Sequence, residues 1–288
     1  MPIRVHIDGA VHLPEEAKIS VFDRGFLYGD SVYETIGTAY GRLFAARDHL
    51  VRLERSAERI GLRAPPRAVI ERAIAETMAA AGNPESRVRV MLTRGAGQLD
   101  LDPASVDDTQ LVVMVFPLGA PTPEMYDKGV TVAIVSITRN SPLAIDPAVK
   151  SGNYLNNVLA LGEARRRFHA YEAILCGGDG SIAEGSTSNV FVVIGGHVGT
   201  PPNEVGILDG ITRAKTIELC RANRIPFAER RISPEQLRGA DEVFITSATR
   251  AILPVTTIDE KPVAGGTPGP ITRRLMELYD RLARLGVD

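Results

Sequence analysis

Lys150 is the residue of this chain whose surroundings best suit covalent chemistry with a ligand. It stands in the segment VKSGNYLNN (residues 149–157), between an apolar run and the start of a predicted helix. Its neighbours Ala148, Ser151 and Gly152 are small, and burial among small and apolar residues favours the neutral, nucleophilic form of a lysine amine. The alternative is a solvated lysine at a loop-to-helix junction.

A carboxylate and several candidate anion-binding groups accompany this lysine. Glu184 stands among small residues in AEGSTSN (183–189), just before an apolar strand. A glycine-containing loop (206–213) opens a helix, where free backbone N–H groups and the helix dipole favour phosphate. The small hydroxylic residues 246–249 directly follow a strand and form a second candidate oxyanion cradle. Arg52, beside the apolar stripe of its helix, is placed to reach the same anion.

Each of these features also has a plainer interpretation. Glu184 can be a turn carboxylate, the loop before residue 211 an ordinary helix start, and Arg52 a solvated arginine. In combination, however, they supply an imine-forming lysine, a carboxylate for a pyridine nitrogen and a phosphate cup. Pyridoxal 5'-phosphate requires this set of groups, so the combination predicts a site for that cofactor.

Other kinds of site are less well supported by the sequence. The Gly-x-Gly at residues 95–97 lacks the spacing and the helix of a dinucleotide site. Ser186 and Ser188 have no convincing histidine partner in the sequence. The two cysteines, Cys176 and Cys220, fit neither a disulfide framework nor a metal site, and the five histidines are scattered.

Composition narrows the class of protein. With 288 residues, of which 44% are hydrophobic, the chain is long enough for two domains. Its net charge of −2 gives no basic field for nucleic acid. No apolar run has the length of a membrane span, and the N-terminus lacks the apolar region of a signal peptide. We therefore expect a cytoplasmic protein without nucleic-acid or membrane partners.

The order of helices and strands predicts an α+β or α/β fold in two domains. We expect a small N-terminal domain over residues 1–118, a Pro- and Gly-rich linker over 119–129 and a larger, cofactor-binding domain over 130–288. After Lys150, a helix is predicted from Tyr154 to Phe168 with Asn153 as its N-cap. Its apolar part is predicted to consist of five residues, Leu155, Val158, Leu159, Leu161 and Ala164.

Seven motifs in a fixed order carry a resemblance over nearly the whole chain. They are DRGFLYGDSVYET (23–35), DHLVRL (48–53), VMLTRG (90–95), VKSGNYLNN (149–157), AEGSTSNVF (183–191), GILDGITR (206–213) and EVFITSATRAILPV (242–255). As a set they are highly specific. The chain resembles the class IV, or fold type IV, pyridoxal-phosphate aminotransferases. This family includes branched-chain aminotransferases, D-amino-acid transaminases, R-selective amine transaminases and aminodeoxychorismate lyase.

The resemblance implies roles for individual residues. Lys150 matches the lysine that binds the cofactor as an imine, Glu184 the carboxylate that faces the pyridine nitrogen, and Tyr154 a tyrosine near the cofactor hydroxyl. The residues that match phosphate-binding positions are Arg52, Ile211, Thr212, Ser247 and Ala248. Many relatives carry a threonine where this chain has Ala248, so that position implies only a backbone donor.

The resemblance also implies the architecture and the reaction. We expect the cofactor in a cleft between the two domains, and a homodimer whose subunits share parts of the active sites. The implied reaction is a ping-pong transfer of an amino group from a small-molecule donor to a keto acid. A non-catalytic binding protein that has kept the fold is the rival from another class.

The substrate-binding residues favour more than one donor. Tyr154, and Arg89 at the arginine of the branched-chain Tyr-x-Arg-Pro motif, favour aliphatic L-amino acids with 2-oxoglutarate, although Arg87 replaces the tyrosine of that motif. Tyr33 favours D-amino acids, which are the second choice, with some R-amine activity; the lyase matches less well. Arg250 is either a further partner for the substrate carboxylate or a solvated side chain, and we expect the second.

Overall fold

The computed structural model describes residues 2–7, 9–119 and 121–287. The chain forms two compact units. The first comprises residues 1–119, 149–153 and 286–288, and the second comprises 120–148 and 154–285.

The first unit is an antiparallel sheet covered by helices. Its described strands have the order β2-β1-β6-β5-β3-β4. These are β1 (Arg4–Ile7), β2 (Ala10–His12), β3 (Ser31–Ala39), β4 (Arg42–Leu43), β5 (Ser86–Thr93) and β6 (Gln110–Pro117), with helices α1 (Arg24–Tyr28), α2 (Ala46–Arg59) and α3 (Arg67–Ala81).

Alternation along β3 decides which side chains face the helices. Val32 and Ile36 are fully buried in one core cluster with Leu50 and Leu53 of α2. Because successive side chains of a strand point to opposite faces, Glu34 shares the helix-facing side and Tyr33 points to the other. The strand thus separates a buried carboxylate from an aromatic ring.

The lysine segment belongs to this first unit. The Tyr33 N–H donates to Lys150 O at 2.9 Å, and the Gly152 N–H donates to Ser31 O at 2.9 Å. A Cβ on Gly152 would lie 2.3 Å from Ser31 Oγ, so a larger residue there would displace this hydroxyl. The predicted boundary, which put all of residues 130–288 in one domain, therefore differs from the compact units here, because backbone hydrogen bonds tie residues 149–153 to β3.

The second unit is built on a larger sheet. Its described strands are ordered β12-β11-β10-β13-β14-β7-β8-β9, and β15 pairs with β14. The elements are α4 (Pro123–Lys128), β7 (Val130–Ile134), α5 (Leu155–Phe168), β8 (Glu172–Cys176), β9 (Ile182–Gly185), β10 (Asn189–Ile194), β11 (His197–Thr200), α6 (Ile211–Ala222), β12 (Phe227–Glu229), α7 (Pro234–Arg238), β13 (Glu242–Ser247), β14 (Ala251–Ile258), β15 (Lys261–Pro262) and α8 (Pro270–Leu285).

This second sheet is mixed, since β7 runs parallel to both β14 and β8 while β10, β13 and β14 are antiparallel neighbours. Phe191 and Phe244 stack at its centre with ring centroids 4.8 Å apart. The predicted mixture of helices and strands is confirmed.

The segment 119–129 is more ordered than a linker. Residues 123–128 form α4, and Thr256 Oγ1 donates to Lys128 O at 2.9 Å. Ala120, which also lies in the predicted linker, is outside the described residues. Pro123 occupies the first helical position, where the fixed backbone of proline suits a helix, so a Pro-rich segment can start a helix here.

Helix α5 departs from its predicted start, and much of its predicted apolar part is exposed. It begins at Leu155, and Asn153 does not cap it; instead, Asn153 Nδ2 donates to Gly29 O at 3.1 Å. Leu155, Val158 and Leu159 belong to the predicted apolar part, and their side chains are 70%, 62% and 51% exposed.

The inner face of α5 is formed by smaller residues. Ala160 and Ala164 of α5 pack in one cluster with Ala133 and Ala173 of the neighbouring strands. Small side chains let the helix approach the sheet closely, which leaves the larger apolar residues outside.

In the described part of the chain, no helix is long and apolar enough to cross a membrane.

Candidate active site

In the first unit, Lys150 and two predicted substrate residues meet at one aromatic ring. Lys150 Nζ lies 4.7 Å from the centre of the Tyr33 ring, and the guanidinium carbon of Arg89 lies 3.7 Å from the same centre. The Lys150 side chain is half-buried rather than buried, and its backbone N–H donates to Ser56 Oγ of α2 at 3.3 Å.

Strand register brings Arg89 to Tyr33. Thr35 pairs with Arg89 and Tyr33 with Met91, so Arg89 is the diagonal neighbour of Tyr33 across the antiparallel pair. Diagonal neighbours on one face are within reach of long and aromatic side chains. A guanidinium and an amine at one ring make this surface suited to a carboxylate-bearing ligand.

Arg52 is held by a carboxylate on the opposite face of β3. Its side chain is 5% exposed; Nε donates to Glu34 Oε1 at 2.6 Å, and Nη2 donates to Glu34 Oε2 at 2.7 Å. His49 Nδ1 lies 2.7 Å from Glu34 Oε2. The alternative of a solvated Arg52 is therefore wrong. The two-pronged pair fixes the orientation of the guanidinium.

The charge state of Glu34 follows from these partners. Burial would raise the pKa of Glu34, but the charge of Arg52 and the hydrogen bonds from Arg52 and His49 outweigh it and lower the pKa to about 2. Glu34 is thus an ion at all ordinary pH values.

In the second unit, Glu184 has a defined orientation. The side chain is buried at the end of β9, where Oε2 accepts from the Leu208 N–H at 3.0 Å and from Asn189 Nδ2 at 3.3 Å. Arg139 Nε lies 2.8 Å from the other oxygen, Oε1. These partners hold the carboxylate in one orientation, as its predicted role against a ring nitrogen requires.

The start of α6 is open to an anion. Gly210 is its N-cap, in extended conformation, and no side chain caps the helix. The N–H groups of Ile211 and Thr212 at this end therefore have no capping side chain, and the helix dipole adds to their attraction for an anion.

Burial raises the pKa of Tyr279, whose hydroxyl meets the Thr212 side chain, so this hydroxyl stays protonated.

Asn189 connects this helix start to the carboxylate. Its Nδ2 donates to Leu208 O at 2.9 Å as well as to Glu184. A Cβ at position 210 would lie 2.0 Å from Asn189 Oδ1, so the packing requires glycine there. One asparagine therefore positions both the carboxylate and the loop that leads into α6.

The second predicted phosphate position is the turn that follows β13. Ser247 is the last residue of the strand and is half-buried, and Ala248 comes next in the turn. Arg250 Nε donates to Ser247 Oγ at 2.8 Å. The hydroxyl of Ser247 is therefore fixed by a cation from its own turn.

The expectation that Arg250 is solvated is wrong. Its side chain is 10% exposed, and Nη1 donates to Glu172 Oε2 at 2.9 Å, while Nη2 donates to Thr187 O and Oγ1, both at 2.7 Å. The physical reason is Glu172, a buried carboxylate that needs a cation nearby. The role of Arg250 toward a substrate carboxylate stays a prediction.

The predicted residues divide between the two units. Tyr33, Arg52, Arg89 and Lys150 lie in the first unit; Tyr154, Glu184, Ile211, Thr212, Ser247, Ala248 and Arg250 lie in the second. Tyr154 is half-buried and immediately precedes α5.

Sequence reasoning missed the residues that position these groups, namely Glu34, His49, Arg139, Glu172 and Asn189. A signal existed for Glu34, since a carboxylate on the apolar side of an alternating strand must have a partner. Among the described residues, no group of three or more His, Cys, Asp or Glu side chains is placed to hold a metal ion.

Comparisons with known proteins identify the family of the chain. A family model described as Amino-transferase class IV matches residues 31–258. A D-alanine aminotransferase of Bacillus licheniformis is 32% identical, with 95% of this chain and 94% of that protein covered.

Solved structures match over a similar extent. A branched-chain aminotransferase of Thermoproteus uzoniensis, with norvaline, is 33% identical at a TM-score of 0.90, covering 97% of this chain and 94% of that one. The T.th. branched-chain amino acid aminotransferase with pyridoxamine 5'-phosphate is 32% identical at a TM-score of 0.91, covering 97% and 93%. These matches confirm the resemblance and the fold class predicted from the motifs.

Proposed function

Since the chain belongs to the class IV aminotransferases, we propose that it moves the amino group of an aliphatic L-amino acid, such as leucine or valine, to 2-oxoglutarate by a ping-pong reaction. The family model and the named relatives make the chain a transaminase that uses pyridoxal 5'-phosphate. One observation carries the choice of donor: the guanidinium of Arg89 lies 3.7 Å from the centre of the Tyr33 ring that Lys150 also contacts.

The residues present fit this cofactor. A phosphorylated pyridine needs an anion site and a carboxylate for its ring nitrogen. The uncapped start of α6 and the hydroxyl of Ser247 supply the first, and the buried, oriented carboxylate of Glu184 supplies the second. Arg52, with its guanidinium fixed by Glu34, adds a charged donor for the phosphate.

The residues proposed to hold the phosphate are the side chain of Arg52, the backbone N–H groups of Ile211 and Thr212, the hydroxyl of Ser247 and the backbone N–H of Ala248. Most of these are neutral donors, and Arg52 is the charged side chain among them. Lys150 would hold the cofactor covalently through its Nζ.

When bound, pyridoxal 5'-phosphate supplies an electron sink for the bonds of the substrate α-carbon. Lys150 Nζ would take the proton from the substrate α-carbon as a general base and then deliver it to the cofactor as a general acid. Glu184 would face the pyridine nitrogen of the cofactor and would favour its protonated form. We propose that the hydroxyl of Tyr154 would lie near the ring hydroxyl of the cofactor.

Arg89 is proposed to bind the substrate carboxylate. It is a charged donor on the same face of the sheet as Tyr33, and Lys150 contacts the same ring. A carboxylate held by Arg89 would therefore have its α-carbon close to the amine that moves its proton.

D-amino-acid transamination is the second candidate. The residue type at position 33 supports it, because the resemblance associates a tyrosine there with D-amino-acid enzymes, and the relative in Bacillus licheniformis is named for D-alanine. R-amine activity is a further outcome of the same experiment. The lyase alternative is not pursued, since Tyr154 departs from its pattern.

The deciding experiment compares donors with 2-oxoglutarate as the acceptor. We expect kcat/KM to be highest for L-leucine among L-leucine, D-alanine and R-1-phenylethylamine, with parallel double-reciprocal lines. A value for D-alanine about tenfold above that for L-leucine, or about 1.4 kcal/mol of transition-state binding, would overturn the choice. A purified protein without a yellow colour, or with a yellow colour that amines do not bleach, would favour a non-catalytic binding protein.

Substitution of Arg89 tests the carboxylate assignment. Arg89→Ala should raise KM for both L-leucine and 2-oxoglutarate about tenfold or more, because a charged hydrogen bond is lost. The matched control is Arg87→Ala on the same face of β5, where the guanidinium carbon lies 4.9 Å from the centre of the Phe116 ring. Equal effects of the two substitutions would remove the support that Arg89 gives to the proposal.

We also propose that two copies of the chain form a dimer through the exposed apolar stripe of α5, which consists of Leu155, Val158 and Leu159. These residues are spaced three and four apart, so they form one side of a helix. Apolar surface of this kind on one helix face is typical of protein interfaces.

We propose a cytoplasmic location as well, because the free thiols of Cys176 and Cys220 suit a reducing compartment.

A further inference from the structure

A buried ion pair in the second unit has no part in the proposed reaction. Glu172, at the start of β8, is 1% exposed and accepts hydrogen bonds from the hydroxyls of Ser186, Thr187 and Ser188 and from Arg250 Nη1. A carboxylate has about four acceptor positions. Glu172 uses them on the loop after Glu184, on Arg250 and on the Ala173 N–H at 3.2 Å, so its role is structural.

Arg250 joins this loop to the turn after β13. Nη2 donates to Thr187 O and Oγ1, both at 2.7 Å, and Nε donates to Ser247 Oγ at 2.8 Å. A Cβ on Gly185 would lie 2.2 Å from Ser188 Oγ and 3.3 Å from Glu172 Cγ, so the loop packs closely on the carboxylate. The loop and the turn are therefore held together by one guanidinium.

In the hydrogen bond between Arg250 and Ser247, the guanidinium is the donor, and this determines what the Ser247 hydroxyl can still bind. A guanidinium has no acceptor atom, so the bond from Nε uses a lone pair of Ser247 Oγ and leaves the hydroxyl hydrogen for another acceptor. The positive charge of Arg250 also polarises this hydroxyl toward an anion. Nε thus fixes the orientation of Ser247 without consuming its proton.

We propose that the Glu172–Arg250 pair is a positioning device that directs the Ser247 hydroxyl at the phosphate of the cofactor. This inference rests on the proposed function, in which Ser247 is one of the phosphate-binding residues. Glu172 fixes Arg250, Arg250 fixes Ser247, and neither charged residue touches the phosphate. The pair acts on phosphate recognition and leaves the ring contacts of Glu184 unchanged.

The test measures two dissociation constants in the purified full chain after removal of bound cofactor, one for pyridoxal 5'-phosphate and one for pyridoxal, which lacks the phosphate. Arg250→Lys keeps a cation opposite Glu172 but cannot also donate to Ser247 and Thr187. We expect it to weaken binding of the phosphate ester about tenfold and to leave binding of pyridoxal within twofold.

A double-mutant cycle with Ser247→Ala separates positioning from general support of the fold. If Arg250 acts through Ser247, Arg250→Lys should have no further effect on either constant in the Ser247→Ala background. Arg238→Lys, which changes an arginine paired with Asp259 at 2.8 Å at the surface of the same unit, is the matched control and should change neither constant.

If Arg250→Lys does not fold, the same two dissociation constants can be measured for Glu172→Gln. The amide keeps the shape of the side chain and removes the charge that fixes Arg250. Equal weakening of both ligands, or an undiminished effect in the Ser247→Ala background, would overturn the inference and leave a pair that only supports the fold. If Ser247→Ala does not change the ratio of the two constants, the inference fails while the transaminase proposal stands. A wild-type chain with no preference for the phosphate ester would overturn the proposed function itself.

Discussion

At the scale of single residues, the chemistry depends on carboxylates that fix cations. Glu34 holds Arg52 and Glu172 holds Arg250, each through short, charge-assisted hydrogen bonds. Removing one partner of a buried pair leaves the other charge without compensation, which is far more costly than losing an exposed pair. Substitution of these acids should therefore affect both stability and ligand binding.

Glu34 should contribute to stability in a pH-dependent way. Its pKa is lowered from 4.5 to about 2 on folding, so its contribution of about 3 kcal/mol is complete well above pH 4.5 and is lost as the pH falls toward 2. The difference in unfolding free energy between wild type and Glu34→Gln should therefore shrink by about 2 kcal/mol between pH 7 and pH 3.

Denaturant titrations at the two pH values measure this difference. Glu54→Gln is the control, since the pair of Glu54 with Arg67 has both side chains about one-third exposed and should show little change. A pH-independent difference for Glu34→Gln would contradict the lowered pKa.

Lys150 should be the site of covalent attachment. Borohydride reduction of the yellow protein, followed by peptide mass mapping, should place the pyridoxyl group in the peptide that contains Lys150. Lys150→Ala should lose most of the transamination rate, because the nucleophile and the proton shuttle disappear together. Labelling of Lys215 instead would reject the assignment.

At the scale of elements, helix and strand ends present the groups proposed to bind the ligand, and loops connect them. Asn189 at the start of β10 contacts both Glu184 at the end of β9 and the loop before α6. Period-two alternation along β3 similarly places Tyr33 on one face and Glu34 on the other. Small changes at these ends should therefore act on more than one ligand contact.

Gly210→Ala should disturb the phosphate and ring sites together. The new Cβ would lie 2.0 Å from Asn189 Oδ1, so Asn189 must move away from Leu208 and Glu184. We expect a loss of about 1–3 kcal/mol in unfolding free energy and weaker binding of both pyridoxal 5'-phosphate and pyridoxal.

Thermal melts and cofactor titrations check this prediction. Gly178→Ala is the matched control, since no atom lies within 4 Å of a Cβ at that position. Unchanged binding in Gly210→Ala would mean that Asn189 does not connect the two sites.

At the scale of the whole molecule, the exposed apolar stripe of α5 predicts assembly. Val158 is 62% exposed, so Val158→Asp should leave the fold of one chain intact and introduce a charge into the proposed interface. Light scattering coupled to size exclusion should report a dimer for wild type and a monomer for Val158→Asp.

Leu285→Asp, at the end of α8 and 81% exposed, is the control and should remain dimeric. A dimeric Val158→Asp would mean that the stripe lies outside the interface. A monomeric wild-type chain would reject the dimer proposal.

The sequence by itself determined the family and the mixed fold and supplied the candidate site residues, because these depend on local patterns. VKSGNYLNN and GILDGITR combine a reactive side chain or an open helix start with glycines that permit close approach, all within nine residues or fewer. Such information is contained in adjacent residues, and the motif order extends it over the chain. Lys150, Glu184 and the start of α6 were recognisable for this reason.

Only the tertiary structure decided how the charged groups are paired. Arg52 and Glu34 are 18 residues apart, and Arg250 and Glu172 are 78 apart. From sequence, Arg250 looked solvated and residues 149–153 looked like part of the later domain, since no local pattern specifies a distant partner. Folding placed a buried carboxylate beside Arg250 and hydrogen-bonded the lysine segment to β3, because buried charges and backbone N–H groups must be satisfied wherever the chain brings a partner.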